Sequence, residues 1–116
     1  MNVEEIWQYC TGKPSVEECF PFDEDALVFK VGGKMFALMS LQEKWLNLKC
    51  DPALALELRA THDAVIAGWH MNKKHWNTIL LDHNVAAPLL RQWIDHSYEL
   101  VVKSLPQKMQ LTINNE

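Results

Sequence analysis

The sequence lacks most of what marks an enzyme. It has no phosphate-binding glycine loop, no GxSxG element and no dinucleotide fingerprint. His70 and His75 are five residues apart, with no Glu in the HExxH spacing. It also lacks a CxxC pair. Its three cysteines, Cys10, Cys19 and Cys50, are odd in number and widely spaced, which argues against a disulfide framework and predicts a reducing compartment. No apolar run approaches the roughly 20 residues that cross a bilayer, so no membrane contact is expected. The opening Met1-Asn2-Val3-Glu4-Glu5 has no basic region followed by an apolar stretch, so a signal peptide is not predicted and the cytoplasm is the expected location. Cations are scarce too: 11 Lys and Arg stand against 15 Asp and Glu, a net charge of −4 that opposes nucleic-acid binding. What is present, 116 residues of which 48% are hydrophobic, fits one folded domain with a single core.

The charge is segregated. Between Met1 and Asp25, the acids Glu4, Glu5, Glu17, Glu18, Asp23, Glu24 and Asp25 face only Lys13. From Lys30 to His75 the balance reverses, with Lys30, Lys34, Lys44, Lys49, Arg59, Lys73 and Lys74 against Glu43, Asp51, Glu57 and Asp63. A local patch matters more to an anionic partner than the total does.

The periodicity predicts an α+β fold. Val3, Ile6, Trp7 and Cys10 have helical spacing, Asn2 and Glu5 form a capping box, and Gly12 with Pro14 ends the helix. A short strand is expected over Val16–Phe20, and an acidic turn over Pro21 to Asp25. Ala26–Val31 and Lys34–Met39 are β-type runs joined by Gly32-Gly33, which supply the positive φ of a tight hairpin. That register puts Leu27, Phe29, Val31, Phe36 and Leu38 on the core face, and Ala26, Val28, Lys30, Met35, Ala37 and Met39 on the other. Trp45–Cys50 alternates again, with Leu46 and Leu48 opposite Trp45, Asn47 and Lys49. Asp51-Pro52 starts a helix by capping and by proline at its first position. His75–Leu81 reads as a fifth strand. The last helix opens near Asn84–Pro88, runs to about Leu105 with Trp93 and Ile94 in its apolar stripe, and stops at Pro106. Residues 109–116 read as a polar tail outside a single domain of residues 1–108. The expected order is α-β-β-β-β-α-β-α: a twisted antiparallel sheet of about five strands backed by two main helices on one face.

The candidate site is the run Gly68-Trp69-His70-Met71-Asn72-Lys73-Lys74-His75-Trp76-Asn77, which interleaves two Trp, two His and two Lys and contains no acid. Under a functional reading Lys73 and Lys74 contact phosphates, His70 or His75 assists, and Trp69 stacks on a base. Under a structural one, Trp69 and Trp76 are core residues and Lys73-Lys74 is a solvated turn. Lys34 and Lys49 are the further cations of the candidate set, and Lys49 shares a strand face with Trp45 and Asn47. The acidic segment from Met1 to Asp25 is a third feature, but Glu4 and Glu5 point in different directions and Asp23–Asp25 sit in a loop, so no metal site is expected. Cys50, before the Asp51 cap, is a weak nucleophile candidate with His62, His70 or His75 as base.

Six blocks resemble the MmcQ/YjbR family, in that family's order: Phe20-Pro21-Phe22, Phe29-Lys30-Val31, Gly33-Lys34-Met35-Phe36-Ala37, Leu48-Lys49-Cys50-Asp51-Pro52, His70 to Asn77, and Ser97-Tyr98-Glu99-Leu100-Val101. One departure is Ala67, before Gly68-Trp69, where the family typically has Pro. The resemblance implies a frataxin-like fold and a "double wing" DNA-binding role. The reading is therefore a small, non-enzymatic DNA-binding module with no cofactor, whose DNA contact is weak and salt-dependent. The alternatives are a protein-interaction or metal-handling module that uses the acidic segment, or a small-molecule-binding protein.

Overall fold

The computed structural model describes residues 1–20 and 25–115. The elements run α1 (Val3–Thr11), β1 (Val16–Cys19), β2 (Ala26–Val31), β3 (Lys34–Ser40), β4 (Trp45–Lys49), α2 (Pro52–Thr61), β5 (Val65–Ala67), β6 (Trp76–Leu80), a 3₁₀ turn (Leu81–His83), α3 (Ala87–Ser104) and α4 (Gln107–Asn114). Among the described residues, one antiparallel sheet holds six strands in the order β1-β2-β3-β4-β6-β5, against the five expected. The added strand is β5, three residues that pair Val65 with Ile79 and Ala67 with Asn77.

The local rules account for the ends. Asn2 and Glu5 make both hydrogen bonds of the capping box on α1. Asp51 Oδ2 accepts from the Leu54 amide at the start of α2, behind Pro52. Gly32 and Gly33 take φ of +60° and +80°, the left-handed geometry that a two-residue hairpin turn needs.

Helices α1 to α4 bury residues against one face of the sheet. Ile6 and Cys10 of α1, Leu58 of α2, Leu90, Trp93, Ile94, Tyr98 and Val101 of α3, and Ile113 of α4 share a core with Phe29, Phe36, Leu46, Leu48 and Ile79. The segment 109–116, expected as a polar tail, is thus helical as far as Asn114. Met109 and Ile113 lie one turn apart on α4, and Ile113 is buried. At the other end of the core, Lys13 Nζ and the Tyr9 hydroxyl both donate to Asp95 Oδ1, at 2.5 and 2.7 Å, and fasten α1 to α3. Lys13 also lies over the Tyr9 and Tyr98 rings at 4.9 and 5.1 Å. The single cation between Met1 and Asp25 is therefore turned inward.

Three expected face assignments change, those of Ala37, Leu38 and Met39. Lys30 pairs with Met35, but Phe29 pairs with Ala37 and Leu27 with Met39. Phe36 is the extra residue of a β-bulge, and every side chain beyond it changes face. Ala37 and Met39 enter the helix-side core, while Leu38 joins Val28 and Trp45 on the opposite face. Among the described residues, no helix residue belongs to this second cluster; Cys19, Ala26, Met35 and Met71 pack around it.

Candidate functional site

The open face of the sheet carries the site. β4 alternates as its sequence predicts: Leu46 and Leu48 enter the helix-side core, and Trp45, Asn47 and Lys49 face outward. In the ladder with β6, Asn47 lies opposite Thr78 and Lys49 opposite Trp76. Asn47 and Thr78 are both buried polar residues, and buried polar groups need partners. Their partner is the backbone of Trp69. The Trp69 N–H donates to Thr78 Oγ1 at 2.8 Å, and Asn47 Nδ2 donates to the Trp69 carbonyl at 2.8 Å. The Thr78 hydroxyl closes the ring by donating to Asn47 Oδ1. Two side chains on neighbouring strands thus hold both polar groups of one residue.

The residue so held carries an exposed side chain. The Trp69 indole remains 40% exposed, while Trp45 and Trp76 are each 8% exposed. It stands edge-to-face with Trp45, with centroids 6.2 Å apart and planes at 86°. The structural reading of the cluster therefore describes Trp76 and fails for Trp69.

The rest of the segment is pinned as firmly. Gly68 N–H donates to the Trp76 carbonyl at 3.1 Å. Asn72 Oδ1 accepts from the amides of Lys74 and His75 at 2.9 and 3.2 Å, an Asx turn. Cys50 N–H donates to the His75 carbonyl at 2.8 Å. His70 adopts φ of +59°, and both His70 and His75 are exposed. Lys73 Nζ donates to the Gly68 carbonyl at 3.1 Å, bridging the segment's own ends. Lys74 is exposed and makes no ion pair among the described residues.

Sequence reasoning missed Arg59. From α2, its Nε donates to Asn77 Oδ1 at 2.6 Å, and its Nη2 donates to the Trp76 carbonyl at 3.2 Å and to the Lys73 carbonyl. Pro52, Ala53, Leu56 and Arg59 of α2 line an open cleft of ≈ 420 Å³ together with Lys73 and Lys74. Among the described residues, no acid lines it. Only the recurrence of Lys and Arg between residues 49 and 74 hinted at this convergence.

Lys34 stands apart from the other candidates. It pairs with Val31, on the helix side of the sheet, and its Nζ lies 3.5 Å from Ser104 Oγ at the end of α3. Lys49, half-buried opposite Trp76, stays with the cluster.

Glu17 pairs with Lys30 and Glu18 with Phe29, so the two carboxylates leave β1 on opposite faces, and Glu18 accepts from the Trp7 indole. Asp23 and Glu24 lie outside the described residues, as do Pro21 and Phe22 of the Phe20-Pro21-Phe22 block. Among the described residues no group of three or more His, Cys, Asp or Glu is placed to hold a metal ion. Burial, with Asp51 adding to it, pushes the Cys50 thiol up to about 11. Burial pushes Cys10 up to about 12. A nucleophilic cysteine needs the opposite shift. No helix among the described residues is long and apolar enough to cross a membrane.

Comparison with known proteins bears on the family and the fold. The YjbR family model matches residues 11–100. The uncharacterised protein YbdF of Escherichia coli O157:H7 is 39% identical over 99 residues, covering 84% of this chain and 81% of that protein. The uncharacterised protein YjbR of Escherichia coli K12 is 34% identical over 110 residues, 93% of each. Among solved structures, a Deinococcus radiodurans protein with a DUF419 domain superposes with a TM-score of 0.90 at 37% identity, covering 97% of this chain and 88% of that one. A Pseudomonas syringae protein superposes with a TM-score of 0.75 at 26% identity, covering 87% and 99%.

Proposed function

We propose, from the premise that the chain belongs to the YjbR family, that it is a small non-enzymatic DNA-binding module whose contact surface is the 68–77 segment on the open sheet face. The observation that carries this reading is the acid-free segment that sets Lys73 and Lys74 with Arg59 on one cleft and presents a half-exposed Trp69 on the open sheet face. Cations so grouped attract phosphates whatever the base sequence, and the attraction weakens as salt displaces it. The surface is a turn laid on a sheet with α2 bordering its cleft, and the cations it offers are suited to backbone phosphates. Lys34 is left out of the surface, and Arg59 is added.

The alternative, a protein-interaction or metal-handling role for the acidic segment from Met1 to Asp25, has weaker support. Glu17 and Glu18 diverge, and Glu18 is engaged by Trp7.

The test is a titration of labelled duplex DNA at two salt concentrations. Affinity at physiological salt is expected on the order of 10⁻⁴–10⁻⁶ M. Changing Lys73 and Lys74 together to Ala should weaken binding about equally for all sequences. It should also lower the slope of log K against log salt by roughly 0.9 for each phosphate no longer neutralised. Identical curves for both proteins would remove the two lysines from the binding surface. No binding at low salt would remove duplex DNA.

A further inference from the structure

The DNA reading leaves open which form of DNA the surface takes, and we infer that it takes single-stranded DNA, with an unpaired base stacked on Trp69. The inference rests on that reading and deepens it. Three observations lead to it.

The first is that Trp69 is exposed while its backbone is held at both polar groups. A large aromatic ring at a surface normally gains by folding back onto apolar neighbours. Here the Asn47–Thr78 pair holds its backbone at both the N–H and the carbonyl, and the Trp45 ring sets its angle from below. Two buried polar side chains thus keep an indole presented to solvent. A stacking partner binds with little loss of freedom when the ring is already fixed.

The second is the arrangement of charge around the ring. Lys73 Nζ is hydrogen-bonded to the carbonyl of the residue before Trp69, so a cation lies at the backbone that carries the indole. Lys74 follows in the same turn, His70 and His75 are exposed hydrogen-bonding groups on either side of it, and the run from Gly68 to Asn77 contains no carboxylate. Phosphates spaced along one strand can follow that segment while a base turns onto the ring. An aromatic platform bordered by cations is the chemistry that single strands need.

The third is what a duplex would find there. Base faces in a duplex are covered by their neighbours, so Trp69 would have only a sugar or a groove edge to touch. The element that carries the ring is a tight turn, and the helix nearest to it, α2, meets the segment at the cleft of Lys73 and Lys74 and not at the ring. A duplex would then meet the cations alone, and the ring would contribute nothing.

The experiment measures binding of a labelled oligothymidine and of a duplex of equal length at one low salt concentration. The proteins are the full chain, Trp69→Ala and Trp69→Phe, each checked for folding by its thermal transition. The wild type should prefer the single strand. Trp69→Ala should lose roughly 5- to 150-fold in single-strand affinity, the size of one base stacked on an aromatic ring. Its duplex binding should be unchanged, and Trp69→Phe should recover most of the loss. The wild-type preference needs no variant, so it decides the matter even if Trp69→Ala does not fold. Equal wild-type affinity for both forms, or a Trp69→Ala that binds the single strand as the wild type does, overturns this inference and leaves the DNA reading standing. Absence of binding to either form overturns both.

Discussion

Replacing Trp93 with Ala is expected to lower the unfolding free energy by about 3–5 kcal/mol. Trp93 is 7% exposed on the sheet-facing side of α3. Its ring meets His62 edge-on, with centroids 5.1 Å apart and planes at 72°. It packs in the layer that joins α2, α3 and the middle of the sheet, together with Leu48 and Leu58. Truncation takes that packing from two helices at once, and neither helix can collapse into the gap without leaving its strands. Urea denaturation followed by circular dichroism measures the loss. A cost under about 1 kcal/mol, within the range of surface substitutions and small rearrangements, would mean that α3 does not depend on this side chain.

The second large effect is expected at Gly68, and it couples fold to site. A Cβ there would lie 2.9 Å from the Cβ of Trp76, 2.9 Å from its carbonyl oxygen and 3.1 Å from its carbonyl carbon. Two of these atoms belong to the backbone of β6, in the centre of the β4-β6-β5 group, and cannot give way. The segment would have to lift. That breaks the Gly68–Trp76 hydrogen bond and draws the Trp69 backbone away from Thr78 and Asn47. Overpacking of this kind costs about 1–3 kcal/mol. Leaving a buried polar group without its partner costs about 1–3 kcal/mol more. Gly68→Ala should therefore both destabilise the protein and abolish the fixed orientation of Trp69. Its effect on DNA binding should exceed that of the Lys73 and Lys74 double change, because the whole segment moves. A Gly68→Ala protein with wild-type stability and wild-type binding would contradict the role given to the segment's anchorage.

The sequence was legible where one rule acts within one stretch of chain. The Asn2–Glu5 capping box, the proline-led start of α2, the Gly32-Gly33 turn and the stripe of α3 each follow from a few neighbouring residues. It was illegible where a single residue changes the geometry of everything after it. The bulge at Phe36 leaves no mark on composition, because Phe36, Ala37, Leu38 and Met39 are all apolar and either register buries them. Strand β5 is too short for alternation to declare itself, and it exists because the edge of β6 offers it a partner. Helix α4 has only Met109 and Ile113 to mark its inner side, and Leu111 is left exposed.

The site divides the same way. Its cations and aromatics stood out as an acid-free run. Lys34 and Lys49 looked equivalent in sequence, and only strand register put one against α3 and the other beside Trp76. Arg59 was hidden because an arginine on a helix is ordinary until its partners are known to be the carbonyls of Lys73 and Trp76. The Asn47–Thr78 pair was hidden for a similar reason: its two halves are far apart in sequence and meet only through the β4-β6 ladder.

The most direct measurement is a two-dimensional amide NMR titration of the uniformly labelled protein with a short single-stranded oligonucleotide at low salt. The account predicts that the shifting signals cluster at residues 68–77, at Lys49 and Arg59, and at the indole N–H of Trp69. Signals of β1 and α4 should stay still. Shifts confined to the acidic segment from Met1 to Asp25 or to α4, or no shifts at millimolar oligonucleotide, would contradict it.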